Sequence, residues 1–208
     1  MNQANRSIPL SVPEGETIPC TRPVGVDRLP EKKDRADISI ALDPVVVDEI
    51  RKFRKREYQP VYPGMDLDND VLDRQALILY SRNISGDINS TARLSFDGPH
   101  PLPEEKYLRD YRRSGQRVME LGRFVSKRGG LQLLKNYYRA FYSVAQRTGC
   151  DVIVMAMQPG HIRFHERKMG VNILQLETGV TYGGKHNLAC VAWEIKKTQP
   201  QFHQWIAS

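Results

Sequence analysis

The side chains best suited to move protons and hold anions gather between positions 117 and 170 of this 208-residue chain. Glu120 lies in the apolar run Val118-Met119-Glu120-Leu121-Gly122-Arg123-Phe124-Val125. Such neighbours desolvate a carboxylate, which raises its pKa and makes it a better base near neutral pH; the same group equally suits a structural ion pair with Arg123 or Arg93. Arg54, Arg93 and Arg123 carry guanidinium forks that match a carboxylate in bidentate fashion. Asp70 and Asp73 are suited to hold an ammonium group, to orient those arginines or to cap a helix. His161 and His165, four apart on an expected helix, share one face. With no third ligand evident, no metal site is indicated. His165 is instead a candidate proton donor to a leaving group, and His161 a helix cap or a phosphate contact. Lys127-Arg128-Gly129-Gly130 precedes a helical pattern and combines two cations with backbone N–H groups, which together can hold a phosphate.

These groups need elements to position them. Residues 118–125 read as a strand, on which Glu120 and Arg123 would face opposite sides of a sheet. Gly122 between them is expected to mark a bulge, which would shift the alternation by one, bring both side chains to one face and free N–H groups. Leu131, Leu134, Tyr138, Phe141 and Ala145 recur at helical spacing and define an apolar stripe that packs on a sheet. Residues 152–157 lack polar alternation, as in a strand covered on both faces; Met155 and Met157 share one of them, either as core or as the flexible wall of a tunnel. Residues 188–195 form a similar late strand. Upstream, 38–42 alternates like a short strand, and Asp43-Pro44 is an N-cap followed by proline at the first helical position, predicting a helix over Pro44–Tyr58. Ser85-Gly86-Asp87 separates strand candidates at 76–80 and 90–96, an antiparallel hairpin.

The fold class is therefore α/β, with one domain over 37–208. Residues 1–36, interrupted by Pro9, Pro13, Pro19, Pro23 and Pro30, read as an irregular arm. The length suffices to bury a substantial core. Cys20, Cys150 and Cys190 have no C-x-x-C spacing, so neither a disulfide framework nor a zinc site is indicated. With no signal-peptide pattern and no apolar run long enough to span a bilayer, a soluble cytoplasmic protein is expected. The formal net charge of +7 favours an acidic partner, whether a carrier protein, nucleic acid or a membrane. Its densest cluster is Arg51-Lys52-Phe53-Arg54-Lys55-Arg56.

Several of these segments resemble acyltransferases of GNAT fold, and within them the N-acyl amino acid synthases and the acyl-homoserine-lactone synthases. Arg54 with Tyr58 resembles the arginine and aromatic residue that open the substrate side in those enzymes. Asp70 and Asp73 are similar to their paired acidic residues before the hairpin, Arg93 to a basic residue at the end of the hairpin, and Glu120-Leu121-Gly122-Arg123-Phe124 to their Glu-x-x-Arg-Phe strand. The stretch His161-Ile162-Arg163-Phe164-His165 is similar to a later helix that usually reads His-x-x-Phe-Tyr; here His165 stands where tyrosine is usual. A tryptophan typical of homoserine-lactone synthases is missing after Tyr58, and the glycine loop is shorter than the usual pyrophosphate cradle.

The resemblance implies a mixed central sheet flanked by helices and transfer of a medium or long fatty acyl group to the amine of an amino acid. It implies an acyl-phosphopantetheine thioester as donor, with no permanently bound cofactor. The short loop suits the single phosphate of an acyl carrier protein better than the diphosphate of coenzyme A, and an acidic carrier suits the basic chain. Glu120, Arg123 and His165 are then the catalytic candidates. Arg54, Tyr58, Asp70, Asp73, Arg93, Phe124, Met155 and Met157 are candidates for substrate binding. Val125, Lys127, Arg128, Gly129, Gly130, His161 and Arg163 are candidates for holding the phosphopantetheine. No nucleic acid and no membrane span are expected, though the lipid product allows peripheral membrane contact. The alternatives are a homoserine-lactone synthase, an acetyltransferase using acetyl-CoA, or a GNAT-like module retained only for binding.

Overall fold

The computed structural model describes residues 37–208 apart from positions 69, 99, 128, 129 and 182–186. The expected arm over 1–36, and Arg128 and Gly129 of the glycine loop, lie outside the described residues. The strands are β1 (Ser39–Ile40), β2 (Leu77–Arg82), β3 (Ile88–Phe96), β4 (Val118–Ser126), β5 (Val152–Met157), β6 (Ile173–Val180) and β7 (Leu188–Glu194). The helices are α1 (Pro44–Tyr58), α2 (Glu105–Leu108), α3 (Leu131–Thr148), α4 (Pro159–Phe164) and α5 (Pro200–Ala207). The strands form one mixed sheet in the order β1-β2-β3-β4-β5-β7-β6. Neighbours are antiparallel except β4 and β5, which run parallel.

Local chemistry accounts for the element ends. The Asp43 carboxylate accepts from the Val45 amide at 2.8 Å, and Pro44 occupies the first turn of α1. Asn83 Oδ1 accepts from the amides of Ser85 and Asp87, both at 2.9 Å, and so folds the β2–β3 turn. The buried face of α3 carries Leu133, Tyr137, Tyr138, Phe141 and Val144. Leu131, expected on this stripe, is 53% exposed, because the inward repeat begins at Leu133 and a residue two positions earlier points well away from it.

Packing divides the sheet into two covered faces. Met119 and Leu121 of β4, with Met155 and Met157 of β5, join the cluster beneath α3 and α5. Val118 and Val154 turn the other way, into a cluster with Leu102 and Leu108 around α2. Ile50 and Phe53 of α1 pack on Ile78 and Ile88. β4 and β5 pair only over Val118–Val152, Met119–Ile153 and Glu120–Val154. Beyond that point β4 stays with β3 and β5 with β7, so the sheet opens between them.

β6 and α5 are absent from the sequence reading. β6 is an edge strand, largely exposed, whose register against β7 shifts at Gln175/Glu177 and again at Glu177/Val180, so its apolar alternation is broken. α5 is short and docks through Phe202, edge-on to the Trp193 ring at 5.0 Å.

Candidate active site

The opening between β4 and β5 is a cavity of about 650 Å³ that passes from one face of the sheet to the other. Leu121, Phe124, Tyr138, Met155, Met157 and Phe164 line its α3 side, an apolar and aromatic wall. Glu120, Gly122, Arg123 and Glu104 line the opposite side, where the carboxylates and the guanidinium lie. Among the described residues, the edge of β4 that faces β5 has no strand partner past Glu120.

Behind the cavity three arginines and three carboxylates interlock. Arg54 Nη1 donates to both carboxylate oxygens of Asp73, at 2.8 and 3.0 Å, and Nη2 donates to Thr91 Oγ1 at 3.3 Å. Arg93 donates from Nη1 to Asp70 Oδ2 at 2.5 Å, and its Nη2 lies 3.5 Å from Glu120 Oε2. Asp70 Oδ2 also accepts from Arg123 Nε and Nη2, at 3.0 and 2.7 Å, while its Oδ1 caps the 3₁₀ turn Val71–Arg74 through the Leu72 amide. Arg54 and Arg93 are 2% and 0% exposed; their Nη groups are committed to the protein's own side chains, while the buried Nε of each has no hydrogen-bond partner among the described residues. Arg123 alone of the three lines the cavity, and its Nη1 rests on the thioether of Met65 at 3.1 Å. A thioether is a weak acceptor, so that donor is the one best placed to take a stronger anion.

Burial is the largest influence on Glu120, which is 3% exposed, and it pushes the carboxyl above the ordinary carboxylate range. The Arg93 guanidinium opposes this, but at 3.5 Å it is too distant for a tight charge-assisted bond. Burial also acts to raise Asp70; there Arg93 and Arg123 outweigh it and hold the group below its usual value.

The expected bulge falls one residue later than Gly122. Gly122 keeps regular register with Arg93, and the extra residue enters between Gly122 and Val125, which opposes Thr91. Its centre is Arg123, with φ of 52°, the sole non-glycine residue in the left-handed region among the described residues. Position 123 carries the bulge because Asp70 fastens its side chain, whereas glycine at 122 answers a space requirement: a Cβ there would lie 2.2 Å from Glu120 Oε1. Tyr58 donates to the Phe124 carbonyl at 3.0 Å, satisfying a backbone group at the bulge. The result brings Glu120 and Arg123 to one charge cluster, while Phe124 turns to the α3 side, edge-on to Tyr137 at 5.0 Å.

Other sequence candidates are divided by the fold. Met155, Met157, His161 and His165 line the cavity. Val125 turns its side chain toward the α1 cluster, Lys127 is exposed with its amide on the Asn89 carbonyl at 2.8 Å, and Arg163 is exposed on α4 away from the cavity lining. Gly130 is the N-cap of α3, with open space about its Cα. His165 begins a π-helical turn, His165–Met169, that continues α4. Among the described residues no group of three or more His, Cys, Asp or Glu side chains is placed to hold a metal. Glu104 and Tyr138 were missed as site residues. Nothing around Pro103-Glu104 marks it for burial, and a tyrosine on an apolar stripe reads as core.

The model of the family described as N-acyl amino acid synthase FeeM matches residues 50–188. No curated protein sequence matches the chain. Among solved structures, FeeM, an N-acyl amino acid synthase from uncultured soil microbes, superposes with a TM-score of 0.68 at 17% identity, over 81% of this chain and 94% of that one. The AHL synthase LasI gives 0.68 at 15% identity, over 83% and 96%. An acyl-CoA N-acyltransferase from Pseudomonas aeruginosa gives 0.52 at 17% identity, over 76% and 99%. At these identities the superpositions establish the GNAT-like fold, and the family match extends over most of the chain. This protein is an acyltransferase and belongs to the FeeM family of N-acyl amino acid synthases.

Proposed function

We propose that the enzyme transfers a medium or long fatty acyl group from the phosphopantetheine thioester of an acyl carrier protein to the amine of an amino acid. The observation that carries this reading is the cavity through the sheet, apolar and methionine-lined on one side and charged on the other. The acyl chain lies against Met155, Met157 and Phe124, the thioester carbonyl meets the unpaired edge of β4, and the amino acid enters from the side of Glu120 and Arg123. Backbone N–H groups on such an edge stabilise the oxyanion that forms when the amine attacks. Glu120, with its pKa raised by burial, takes the proton that the substrate ammonium must lose before attack. Arg123 Nη1 exchanges the Met65 sulfur for the substrate carboxylate. Arg54, Arg93, Asp70 and Asp73 hold Arg123 and Glu120 in place rather than touching substrate.

The donor's phosphate lies at the start of α3, near Lys127 and the amides after Gly130, where a single phosphate is sufficiently held by a short loop. Expression in a bacterial host, followed by mass spectrometry of the lipid extract, tests the reading. N-acyl amino acids are expected with the wild type and not with Glu120→Gln. Extracts identical to those of cells lacking the gene would overturn it, and acyl-homoserine lactones in their place would show the other activity of this fold.

A further inference from the structure

His165 and Tyr138 meet in the cavity wall from different elements, and their hydrogen bonds fix where the protons are. His165 Nδ1 lies 2.7 Å from the carbonyl oxygen of His161. A carbonyl can only accept, so Nδ1 carries the ring proton. Burial pushes His165 below its ordinary pKa, against the hydrogen bond to the His161 carbonyl, which favours the charged ring, and the ring is therefore neutral with its one proton on Nδ1. Its Nε2 is then an acceptor, and the group hydrogen-bonded to it is the Tyr138 hydroxyl. The other rings around Tyr138 are those of Phe141, Trp193 and Trp205, which offer no competing proton site to the phenol. A phenol is thus held with its proton aimed at an imidazole lone pair, and both residues line the cavity.

We propose that Tyr138 and His165 form a proton relay for collapse of the tetrahedral intermediate, an inference that rests on the acyl-transfer reading above. Attack of the neutral amine forms the C–N bond and leaves the nitrogen with one proton to lose, while the sulfur needs a proton as the C–S bond breaks. Both atoms are bonded to the same carbon, so one hydroxyl can serve both. Tyr138 Oη accepts the proton from nitrogen as its own proton passes to His165 Nε2. The imidazolium then returns that proton to Oη as the hydroxyl proton moves to sulfur. The C–S electron pair leaves with the sulfur, the carbonyl re-forms, the thiol departs, and the pair ends as it began. Glu120 handles the earlier proton from the opposite side of the opening, whereas the relay lies on the α3 and α4 side with the acyl chain and its sulfur.

The test compares two donors with the purified full-length enzyme: an acyl-pantetheine thioester and the corresponding thioester of thiophenol, whose thiolate leaves without protonation. Tyr138→Phe is expected to lose about a hundredfold in kcat with the pantetheine donor, the lower end of the range for general acid–base catalysis, and less than about threefold with the aryl donor. His165→Gln, which keeps an acceptor for the phenol but cannot store a proton, is expected to follow the same pattern and supplies the answer if Tyr138→Phe folds poorly. Equal losses with both donors, or no loss with the pantetheine donor, would overturn the relay and leave the acyl-transfer reading intact. Failure of the wild type to acylate any amino acid from either donor would overturn both.

Discussion

A methyl group is enough to disturb the proposed base. Because a Cβ at position 122 would fall 2.2 Å from Glu120 Oε1, Gly122→Ala must push the carboxylate off its seat. The atom it meets is the far end of a flexible side chain, so the fold can accommodate the change while the chemistry cannot. A shift of about 1 Å costs on the order of a hundredfold in rate; kcat should fall by that order while the melting temperature changes little, measured by turnover and by thermal unfolding of the same samples. Glu120 itself should show the opposite of a stabilising residue. Its folded-state pKa is raised, so the stability it contributes is fully present below the unfolded carboxylate pKa and is lost as pH rises through the folded value. Glu120→Gln is therefore expected to melt above the wild type at neutral pH despite its lost activity. The difference should shrink as pH is lowered and the wild-type carboxyl takes up its proton, which a series of melting curves would check. Sequence composition pointed to a desolvated carboxylate here, but the left-handed φ of Arg123 was not legible, because the ion pair that holds it comes from Asp70, 53 positions away.

At the level of elements, α1 is tied to the 3₁₀ turn Val71–Arg74 by the Arg54–Asp73 pair, whose side chains are almost wholly buried. Removing one partner of such a pair leaves a buried charge and costs about 3–5 kcal/mol. Arg54→Ala should be destabilised by that order in denaturant unfolding, with the cost moderated because Asp73 retains Arg93 at 3.6 Å. A second junction is Gly170, which ends the π-helical turn with φ of 70° and where a Cβ would meet Gln201 Cβ at 2.7 Å and the Phe202 amide nitrogen at 2.8 Å. Gly170→Ala combines a strained backbone with a clash against α5, and hydrogen exchange should speed up in α5 before the rest of the molecule. Where periodicity is strong the elements were legible: α1 and β5 lie to the residue where capping and an apolar run put them, and the strands of the β2–β3 hairpin end within two residues of the expected positions. β6 was not, since an edge strand with two register shifts has neither a buried face nor a steady alternation to reveal it.

For the whole molecule, the net charge of +7 predicts long-range attraction to an acidic carrier. The rate constant kcat/KM with an acyl carrier protein donor is expected to fall about tenfold between about 0.05 M and 0.5 M salt, while a free pantetheine thioester should show little change. Equal salt dependence for both donors would count against carrier docking. The basic run at 51–56 offers a carrier less charge than its residue types suggest. Residues Ile50, Phe53 and Arg54 turn inward together at helical spacing, Arg51 and Lys52 pair with Asp48, and Lys55 pairs with Asp68, so much of that charge is neutralised locally. Among the described residues no helix is long and apolar enough to cross a membrane. The sequence by itself determined the mixed α/β order, the main elements and the spacing that puts Glu120 and Arg123 near one bulge, because periodicity, caps and turns act over a few residues. Only the tertiary structure decided which arginine stays open to the cavity, where the sheet parts and that Tyr138 meets His165, because those outcomes depend on pairings between segments far apart in the chain.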